Sequence, residues 1–375
     1  MKHFTLRNSI LFILFFFPFS LFAQSTTAPN IIIVTTDGFR WKEVFEGADP
    51  SILNNSKYVK DTALLRQLFW NDNETERRKL LMPFVWNVIE KQGAIYGNRN
   101  FGNEVSISNP YKFSYAGYNE LFTGYADRAV IANKERYNQN QTILDFINEQ
   151  PAYKGNVAAF TSWKLFKYIF NKPSSQLFLN SGYHPIQHDS LTITENLING
   201  IQRDLFDSVI STRNDMLTFL AAKEYMKSHH PKVLYIGFGE TDEYAHHGNY
   251  DGYLQSAVAV DNYLSQLWYL VNSDPFYKNN TNLIVTTDHG RGDGKNSWTR
   301  HDMFTKGSSN TWLLTLGPQF TKQGELKSKE AINTEQIPQT IARLLGLNFI
   351  SNHPVSEPVY SLYQPTIDNI PVTLR

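Results

Sequence analysis

The sequence predicts an α/β protein with a doubly wound, mostly parallel central sheet, helices on both faces and a cap-like insertion. Short apolar segments alternate with helical segments along most of the 375 residues, which is the pattern of a parallel sheet with crossover helices. The pentapeptide Ile-Val-Thr-Thr-Asp also occurs twice, at Ile33–Asp37 and at Ile284–Asp288. Each copy ends a β-branched run, as expected of a strand that is buried on both faces of such a sheet.

The first half of the chain begins this alternation. Apolar runs predict the strands, and helical periodicity bounded by Ser, Thr or Gly predicts the helices. The predicted strands are Asn30–Thr36, Ala94–Tyr96 and Asn156–Thr161, and the predicted helices are Leu81–Lys91, Tyr115–Thr123 and Thr142–Glu149. Residues 46–80 are polar and irregular, and we interpret them as an insertion over the carboxyl edge of the sheet. Phe101–Lys112 is rich in Gly, Ser, Asn and Pro, which indicates a loop.

The second half continues the alternation after residues 165–211. That segment shows no clear strand–helix alternation, and we interpret it as the cap-like insertion. The later strands are Val233–Phe238, Leu283–Thr287 and Asn310–Leu316, and the later helices are Asn214–Ser228, Tyr250–Val271 and Thr334–Leu345. The order of elements therefore predicts one α/β domain that uses both ends of the chain.

The amino-terminal residues have the pattern of an export signal. Lys2 and Arg7 precede the apolar run Ile10–Phe22, and Ala23 is a small residue suited to cleavage. We expect a signal peptide over residues 1–23 and a single mature domain over 24–375, which would be periplasmic or secreted. The apolar run is short for a membrane anchor, and no later segment is long and apolar enough to span a bilayer.

Composition narrows the function classes further. The formal net charge is +0, so no overall field favours binding to a nucleic acid duplex. There are 0 cysteines, so the exported fold cannot contain disulfides and the chain cannot use a cysteine nucleophile or a formylglycine derived from cysteine. Oligomeric state is left open.

Acidic residues follow two of the predicted strands. Asp37 follows the first strand, and Asp288 follows the strand Leu283–Thr287 and precedes His289. Open α/β sheets bind ligands at the carboxyl ends of their strands, so these residues suggest a metal site assembled from both ends of the chain. A lone aspartate there usually caps a turn, and that explanation would suffice for Asp37 by itself. The Asp-His pair followed by Gly290, where the backbone would crowd a ligand, is harder to explain structurally.

A third group follows the strand Val233–Phe238. Asp242 and His246 lie four residues apart, so one helical turn would place both on one face as a metal requires. A solvated histidine-rich loop is the common alternative, and His247 competes with His246, although the spacing favours His246. His301 lies in a polar loop and, taken alone, would be explained as a surface histidine.

Ser114 is the candidate nucleophile. It opens the predicted helix Tyr115–Thr123, where a serine ordinarily caps the helix through its side chain. The same helix end offers free amide N–H groups and positive potential to a phosphate. A metal beside the hydroxyl would lower its pKa and make it reactive at neutral pH. Gly117 inside the helix indicates close approach by another group.

Taken in order, these motifs resemble the alkaline phosphatase superfamily, in its branch with nucleotide pyrophosphatase/phosphodiesterases and cofactor-independent phosphoglycerate mutases. The resemblance extends over nearly the whole mature chain. It rests on Asp37-Gly38-Phe39-Arg40, the segment Leu81–Asn98, the serine helix ending Thr123-Gly124, "QTILDFINEQ", Asp242 with His246, Asp288-His289-Gly290, His301 and "IPQTIARLLGL".

The resemblance implies two divalent metals, with zinc expected. One would be held by Asp242, His246 and His301, and the other by Asp37, Asp288 and His289 with the Ser114 oxygen. It implies attack by Ser114 on phosphorus, departure of the alcohol, and hydrolysis of a phosphoseryl intermediate by water. Asn133 is a possible donor to a non-bridging phosphate oxygen, and a plain loop role for it is equally compatible with the sequence.

The expected substrate is a small-molecule phosphate ester. Ser114 lacks the Pro and Arg spacing of formylglycine sulfatases, because Ala116 and Tyr118 stand there. A monoester dianion needs extra positive charge, for which Lys112, Arg291 and Lys295 are candidates, whereas Tyr115, Tyr118 and Tyr244 would suit a second ester group. We favour a phosphodiester or nucleotide-type substrate slightly. The alternatives are a phosphomonoesterase, or a non-catalytic exported metal-binding protein.

Overall fold

A computed structural model describes residues 28–170, 175–205 and 212–363, so the expected signal peptide lies outside the described residues. The strands are β1 Asn30–Thr36, β2 Gly93–Tyr96, β3 Asn103–Ser106, β4 Val157–Thr161, β5 Phe178–Ser181, β6 Val233–Phe238, β7 Thr281–Thr287, β8 Asn310–Thr311, β9 Leu313–Leu316, β10 Gly324–Glu325 and β11 Glu330–Asn333. Eight of these form one sheet in the order β10-β2-β9-β7-β1-β6-β4-β5, and β11-β3-β8 form a second. In the large sheet β9 runs antiparallel to both neighbours and the other pairings are parallel. The sheet is therefore mostly parallel, as predicted.

Helices cover both faces of the large sheet. They are α1 Trp41–Glu46, α2 Pro50–Leu53, α3 Thr62–Phe69, α4 Glu74–Leu81, α5 Glu90–Gln92, α6 Ser114–Thr123, α7 Ile143–Glu149, α8 Phe166–Phe170, α9 Ile193–Asp204, α10 Asp215–His229, α11 Glu240–His246, α12 Tyr250–Ser273 and α13 Ile337–Leu344. A π-helical turn covers Val85–Ile89, and 3-10 turns cover Arg99–Phe101, Thr334–Gln336 and Tyr360–Leu362. Among the described residues, no helix has the length and apolarity needed to cross a bilayer.

The central strands divide their side chains between two hydrophobic cores. In β1, Ile32 and Val34 enter one core, whereas Ile31 and Ile33 enter the other. This follows from the two-residue period of a strand, because successive side chains point to opposite faces. A continuous apolar run is therefore required wherever helices cover both faces, which confirms the doubly wound α/β architecture.

Several expected elements differ from the structure. Residues 46–80 contain three short helices rather than irregular chain, because Asp49, Asp61 and Asn73 each cap a helix through the side chain. The expected helix Leu81–Lys91 is instead the end of α4 followed by a π-helical turn and α5.

Two further segments also differ from expectation. The expected loop Phe101–Lys112 contains β3. Residues 165–211 contain α8, α9 and also β5, which pairs in parallel with β4 and extends the central sheet. This segment therefore does contain a strand between two helices, so the expectation that it lacks strand–helix alternation was wrong. The expected strand Asn310–Leu316 is divided at Trp312 into β8 and β9, which belong to different sheets.

Candidate metal centre and nucleophile

The candidate residues lie where three neighbouring strands end. β1 lies between β7 and β6 and is parallel to both, and Thr36 pairs with Thr287 on one side and with Phe238 on the other. Asp37 directly follows β1 and Asp288 directly follows β7, so the two residues are adjacent. After β6 the chain enters α11, which carries Asp242 and His246. The sheet thus brings acidic groups from both ends of the chain to one edge.

One set of oxygen and nitrogen atoms surrounds the Ser114 hydroxyl. Ser114 Oγ lies 3.2 Å from Asp37 Oδ1 and 3.3 Å from His289 Nε2. His289 Nε2 in turn lies 3.3 Å from Asp37 Oδ1 and 3.4 Å from Asp288 Oδ2. All four side chains are buried. The atoms therefore face one another at the spacing of ligands around a single cation.

The chemistry of this set fits a bound cation. The His289 Nδ1–H donates to the carbonyl oxygen of Gly290 at 2.9 Å, so in the neutral ring the Nε2 lone pair faces carboxylate oxygens. Asp288 Oδ1 accepts from the Gly38 N–H at 3.0 Å, but Asp288 Oδ2 is buried and has no hydrogen-bond donor among the described residues. A divalent cation with oxygen and nitrogen ligands would stabilise both groups.

A second set faces the first. His246 Nε2 lies 3.0 Å from His301 Nε2 and 3.1 Å from Asp242 Oδ2. The His301 Nδ1–H donates to the carbonyl oxygen of Lys112 at 2.8 Å, which leaves His301 Nε2 free to bind a metal. His247 points elsewhere, with Nδ1 2.7 Å from the carbonyl oxygen of Glu243. The structure thus places His246 rather than His247 in this set.

The two sets are in direct contact. The rings of His289 and His301 stack at 3.8 Å between centroids. Ligand atoms of Asp37, Asp242 and His289 also lie within 4.8 Å of one another, so Asp242 approaches both sets. Two cations held by these sets would be close enough to act on the same substrate group.

Arg291 supplies a positive charge from within the protein. Its guanidinium is buried, contacts Asp242 Oδ1, and donates to the carbonyl oxygens of Trp298 at 2.8 Å and Thr299 at 2.7 Å. This pairing occupies one oxygen of Asp242 and leaves Oδ2 directed at His246. From the sequence, Arg291 was expected only as a candidate source of positive charge for a monoester dianion. Its position between two glycines, two residues after His289, was the only available signal of its role.

Burial dominates the electrostatics of the centre. Burial, followed by the charge of Asp242, raises the pKa of Asp37 well above its usual range, and burial with the charge of Asp37 does the same to Asp288. Burial opposes ionisation of Asp242 too, but the charge of Arg291 outweighs it and holds the pKa of Asp242 well below its usual range. Burial and the charge of His289 lower the pKa of His301, which favours the neutral ligand form.

The helix that begins at Ser114 presents its hydroxyl to the centre. Phe113 is the N-cap residue and no side chain of the cap position bonds the helix, so Ser114 does not have the ordinary capping role. Instead Asn133 Oδ1 accepts from the Tyr115 N–H at 3.0 Å. The Asn133 amide group therefore lies beside the start of the helix, with its NH₂ group as the available donor.

Glycines permit the close packing around the centre. A Cβ on Gly117 would lie 2.3 Å from the carbonyl oxygen of Asp288, which confirms that another group approaches this helix closely. A Cβ on Gly38, where φ is +57°, would lie 2.7 Å from Asp242 Oδ1. Gly290 is also crowded, and the groups that approach it are the carbonyl oxygens of Gly307 and Asn310.

Two of the three tyrosines that were expected to suit a second ester group are buried within the protein. Tyr118 is fully buried and packs edge-on against Phe166 at 4.5 Å. Tyr115 is also buried, and its hydroxyl donates to the carbonyl oxygens of Arg136 and Tyr168. Of the three expected tyrosines, only Tyr244 is half-buried. Tyr115 and Tyr118 therefore support the fold beneath the centre.

Fold and site together define an α/β protein with a carboxylate–histidine centre suited to divalent cations beside a buried serine. Residues 191–348 match the family model described as the Metalloenzyme superfamily. The matched region contains Asp242, His246, Asp288, His289 and His301, whereas Asp37 and Ser114 precede it. A comparison with curated protein sequences gave no significant match.

Solved structures share the fold at low sequence identity. Wild-type alkaline phosphatase PafA superimposes with a TM-score of 0.57 at 10% identity, covering 90% of this chain and 99% of that one. The phosphonate monoester hydrolase of Agrobacterium radiobacter gives 0.54 at 11% identity, covering 90% and 78%. Murine ectonucleotide pyrophosphatase/phosphodiesterase 5 gives 0.52 at 14% identity, covering 87% and 97%. The chain therefore has an alkaline phosphatase-like fold.

Proposed function

We propose that the protein hydrolyses phosphate esters, with Ser114 as the nucleophile. The observation that carries the proposal is the position of Ser114 Oγ, which faces Asp37 and His289 at 3.2 and 3.3 Å instead of capping its helix. The fold shared with phosphatase and phosphodiesterase structures supports the same reaction class. Asp37, Asp242, His246, Asp288, His289 and His301 would hold two divalent cations, with zinc expected from the oxygen and nitrogen donors.

The reaction would proceed by two displacements at phosphorus. Ser114 Oγ gives up its proton and forms a bond to phosphorus as the P–O bond to the alcohol breaks, and the departing alcohol takes up a proton. Water then adds to phosphorus, the bond to Ser114 Oγ breaks, and the phosphoryl product leaves with the serine hydroxyl restored. Divalent cations, when bound, stabilise charge on the phosphoryl oxygens and lower the pKa of hydroxyl groups beside them. Asn133 would donate from its amide NH₂ to a non-bridging oxygen while its carbonyl oxygen holds the start of the helix.

The distribution of basic groups supports a phosphodiester or nucleotide-type substrate over a monoester. A monoester dianion requires additional positive charge. Arg291 is committed to Asp242 and to two backbone carbonyl oxygens, Lys112 Nζ is 3.4 Å from the carbonyl oxygen of Met303, and Lys295 is exposed. Arg291 and Lys112 thus have other partners, which favours a substrate that carries a single negative charge.

A substrate panel with a matched pair of serine variants tests this proposal. We expect the zinc-loaded protein to hydrolyse bis-p-nitrophenyl phosphate faster than p-nitrophenyl phosphate, and EDTA to abolish both rates. Ser114→Ala should lower the rate at least about 10³-fold while metal content measured by elemental analysis is unchanged. Ser273→Ala on the surface of α12 is the control and should behave as wild type.

Three outcomes would reject parts of the proposal. Turnover of a sulfate ester alone would reject the phosphoryl assignment, and an unaffected Ser114→Ala rate would reject the nucleophile. A higher rate on the monoester would reject the substrate preference while leaving the reaction class intact. We also propose that the protein is exported, with residues 1–23 removed, which amino-terminal sequencing of the mature protein tests directly.

A further inference from the structure

A second cluster of metal-binding side chains lies outside the candidate active centre. His188 lies in the loop before α9, Glu195 in the first turn of α9, and His229 at the carboxyl end of α10. One potential ligand atom from each lies within 4.8 Å of the other two. The cluster is at the carboxyl end of α10, which has 15 residues, so it lies about 20 Å from the amino end of that helix. At the amino end, the Asp215 carboxylate accepts the N–H of Gly239, the residue that follows β6.

Glu195 provides a buried carboxylate at this cluster. Its side chain is 0% exposed, and Oε1 lies 3.0 Å from His188 Nε2. Oε2 accepts the Thr192 N–H at 2.8 Å, and Thr192 Oγ1 accepts the Glu195 N–H, which forms a capping box. The box fixes the carboxylate in position, so Oε1 is held toward the two histidines without further ordering of the side chain.

A hydrogen bond and two ring contacts hold the His229 imidazole in place. Ser228 Oγ donates to the carbonyl oxygen of Glu224 at 2.9 Å, which uses its one hydrogen. In the tautomer that complements this bond, the His229 Nδ1–H donates to Ser228 Oγ at 2.8 Å and Nε2 keeps its lone pair for a metal. The ring is also held flat against Tyr225, with centroids 4.2 Å apart and planes inclined by 6°, and it meets the His188 ring edge-on at 4.5 Å.

We propose that His188, Glu195 and His229 bind one divalent transition-metal cation of the zinc type. Two imidazole nitrogens and a carboxylate oxygen form a common donor set for zinc, with the remaining position open to water. Such an ion would link the loop and α9 to the end of α10, and its role would be to stabilise the segment formed by residues 182–205. The inference does not depend on the proposed hydrolysis, since the cluster shares no residue with the active centre.

Zinc stoichiometry tests this site directly. Chelator-treated full-length protein is equilibrated with zinc, freed of unbound metal and measured by elemental analysis. We expect His229→Ala to retain one equivalent less than wild type, whatever number the active centre holds, and to hydrolyse bis-p-nitrophenyl phosphate at the wild-type rate. His229 is exposed, so its removal should leave folding intact. Glu195→Gln, which keeps an acceptor for Thr192, should also lose one equivalent.

The neighbouring His230 provides the matched control. It pairs with Asp274 and has a left-handed backbone with φ of 49°, which asparagine tolerates. His230→Asn should therefore retain as much zinc as wild type. Equal zinc content in wild type and His229→Ala would overturn the proposal. Loss of the same equivalent in His230→Asn would overturn it too, because binding would then be nonspecific to surface histidines.

Discussion

Single residues determine how closely the elements around the centre can pack. Gly117 lies in α6, and Asp288 follows β7, so the two meet only in the folded chain. The helix propensity of glycine is poor, but any larger residue at this position would meet the Asp288 backbone. Because Gly117 has no side chain, α6 can pack closely against Asp288, which brings Ser114 near that residue.

Replacing Gly117 tests this packing. In Gly117→Ala the new methyl group would lie 2.3 Å from the Asp288 carbonyl oxygen, so we expect a loss of about 1–3 kcal/mol in the free energy of unfolding. Displacement of Ser114 should also lower the hydrolysis rate. Urea unfolding and initial rates on the diester provide the two measurements.

A glycine in an uncrowded helix gives the comparison for Gly117. At Gly200 in α9 the nearest atom to an added Cβ is Arg203 Nη2 at 3.9 Å. Gly200→Ala should therefore raise the free energy of unfolding by about 1 kcal/mol, as expected from helix propensity alone. If both variants gained stability equally, the close approach at Gly117 would have no energetic consequence.

At the scale of elements, the buried strands were the most predictable part of the fold. The strands Asn30–Thr36 and Val233–Phe238 have the predicted bounds, because burial on both faces produces an unbroken β-branched run. The short helices in residues 46–80 were not predicted, since each depends on one capping side chain rather than on a long apolar stripe. The division of β8 from β9 depends on Trp312, whose ring N–H donates to the Phe39 carbonyl oxygen in a distant segment.

The same distinction applies to the candidate centre. Local sequence marks an acidic residue at a strand end, and spacing marks the pair Asp242 and His246. The pairing of Arg291 with Asp242 joins residues 49 positions apart and has no local pattern. The Thr241 hydroxyl likewise donates to the carbonyl oxygen of Asp37 at 2.6 Å, and only the sheet topology brings these residues together.

A buried carboxylate joins two elements away from the centre and predicts a pH dependence. Asp261 in α12 accepts the backbone N–H groups of Phe84 and Val85 at 2.8 and 3.0 Å. Burial raises its pKa from 3.8 to about 7. Between these values the folded protein keeps a proton that the unfolded chain has lost, so stability is present at low pH and is lost as pH rises toward 7.

We therefore expect Asp261→Asn to flatten this part of the pH dependence. One proton corresponds to a slope of about 1.4 kcal/mol per pH unit, and the variant should lack up to that slope between pH 4 and 7. Urea unfolding of both proteins across this range measures it. Asp204→Asn, at an exposed carboxylate of α9, is the control and should keep the wild-type slope. Parallel curves for wild type and Asp261→Asn would contradict the assignment.

At the scale of the whole molecule, the buried acidic residues of the centre lower the stability of the metal-free protein. Two hydrophobic cores on opposite faces of the sheet hold the strands in register, which places Asp37 and Asp288 side by side and α11 with Asp242 next to them. Asp242 pairs with the buried guanidinium of Arg291, whereas the basic group that Asp37 and Asp288 contact among the described residues is the His289 imidazole. Buried like charges without a partner are unfavourable, and a bound cation removes that cost. Binding to the folded state alone then stabilises the protein by mass action.

A second buried carboxylate shows what a permanent partner does. Glu43 is 0% exposed and bonds the Arg40 guanidinium, with Arg40 Nε 2.9 Å from Glu43 Oε2, and it accepts the Tyr250 hydroxyl at 2.9 Å. Arg40 also donates to the Gly292 carbonyl oxygen at 3.1 Å, which ties this network to the loop that follows His289. The Arg40 guanidinium thus gives Glu43 a permanent positive charge, whereas the described residues offer Asp288 only the imidazole of His289.

The two carboxylates should therefore respond in opposite ways to amide substitution. In EDTA, Asp288→Asn should unfold at a higher temperature than wild type because it removes a buried acid that lies beside the like charge of Asp37, but it should gain less from added zinc and should lose hydrolytic activity. Glu43→Gln should lose up to about 3 kcal/mol with or without zinc, since it leaves the buried guanidinium of Arg40 with Asp49 as its remaining carboxylate partner. Thermal unfolding with and without zinc measures both. An Asp288→Asn protein less stable than wild type in EDTA would show that Asp288 serves the fold rather than a cation.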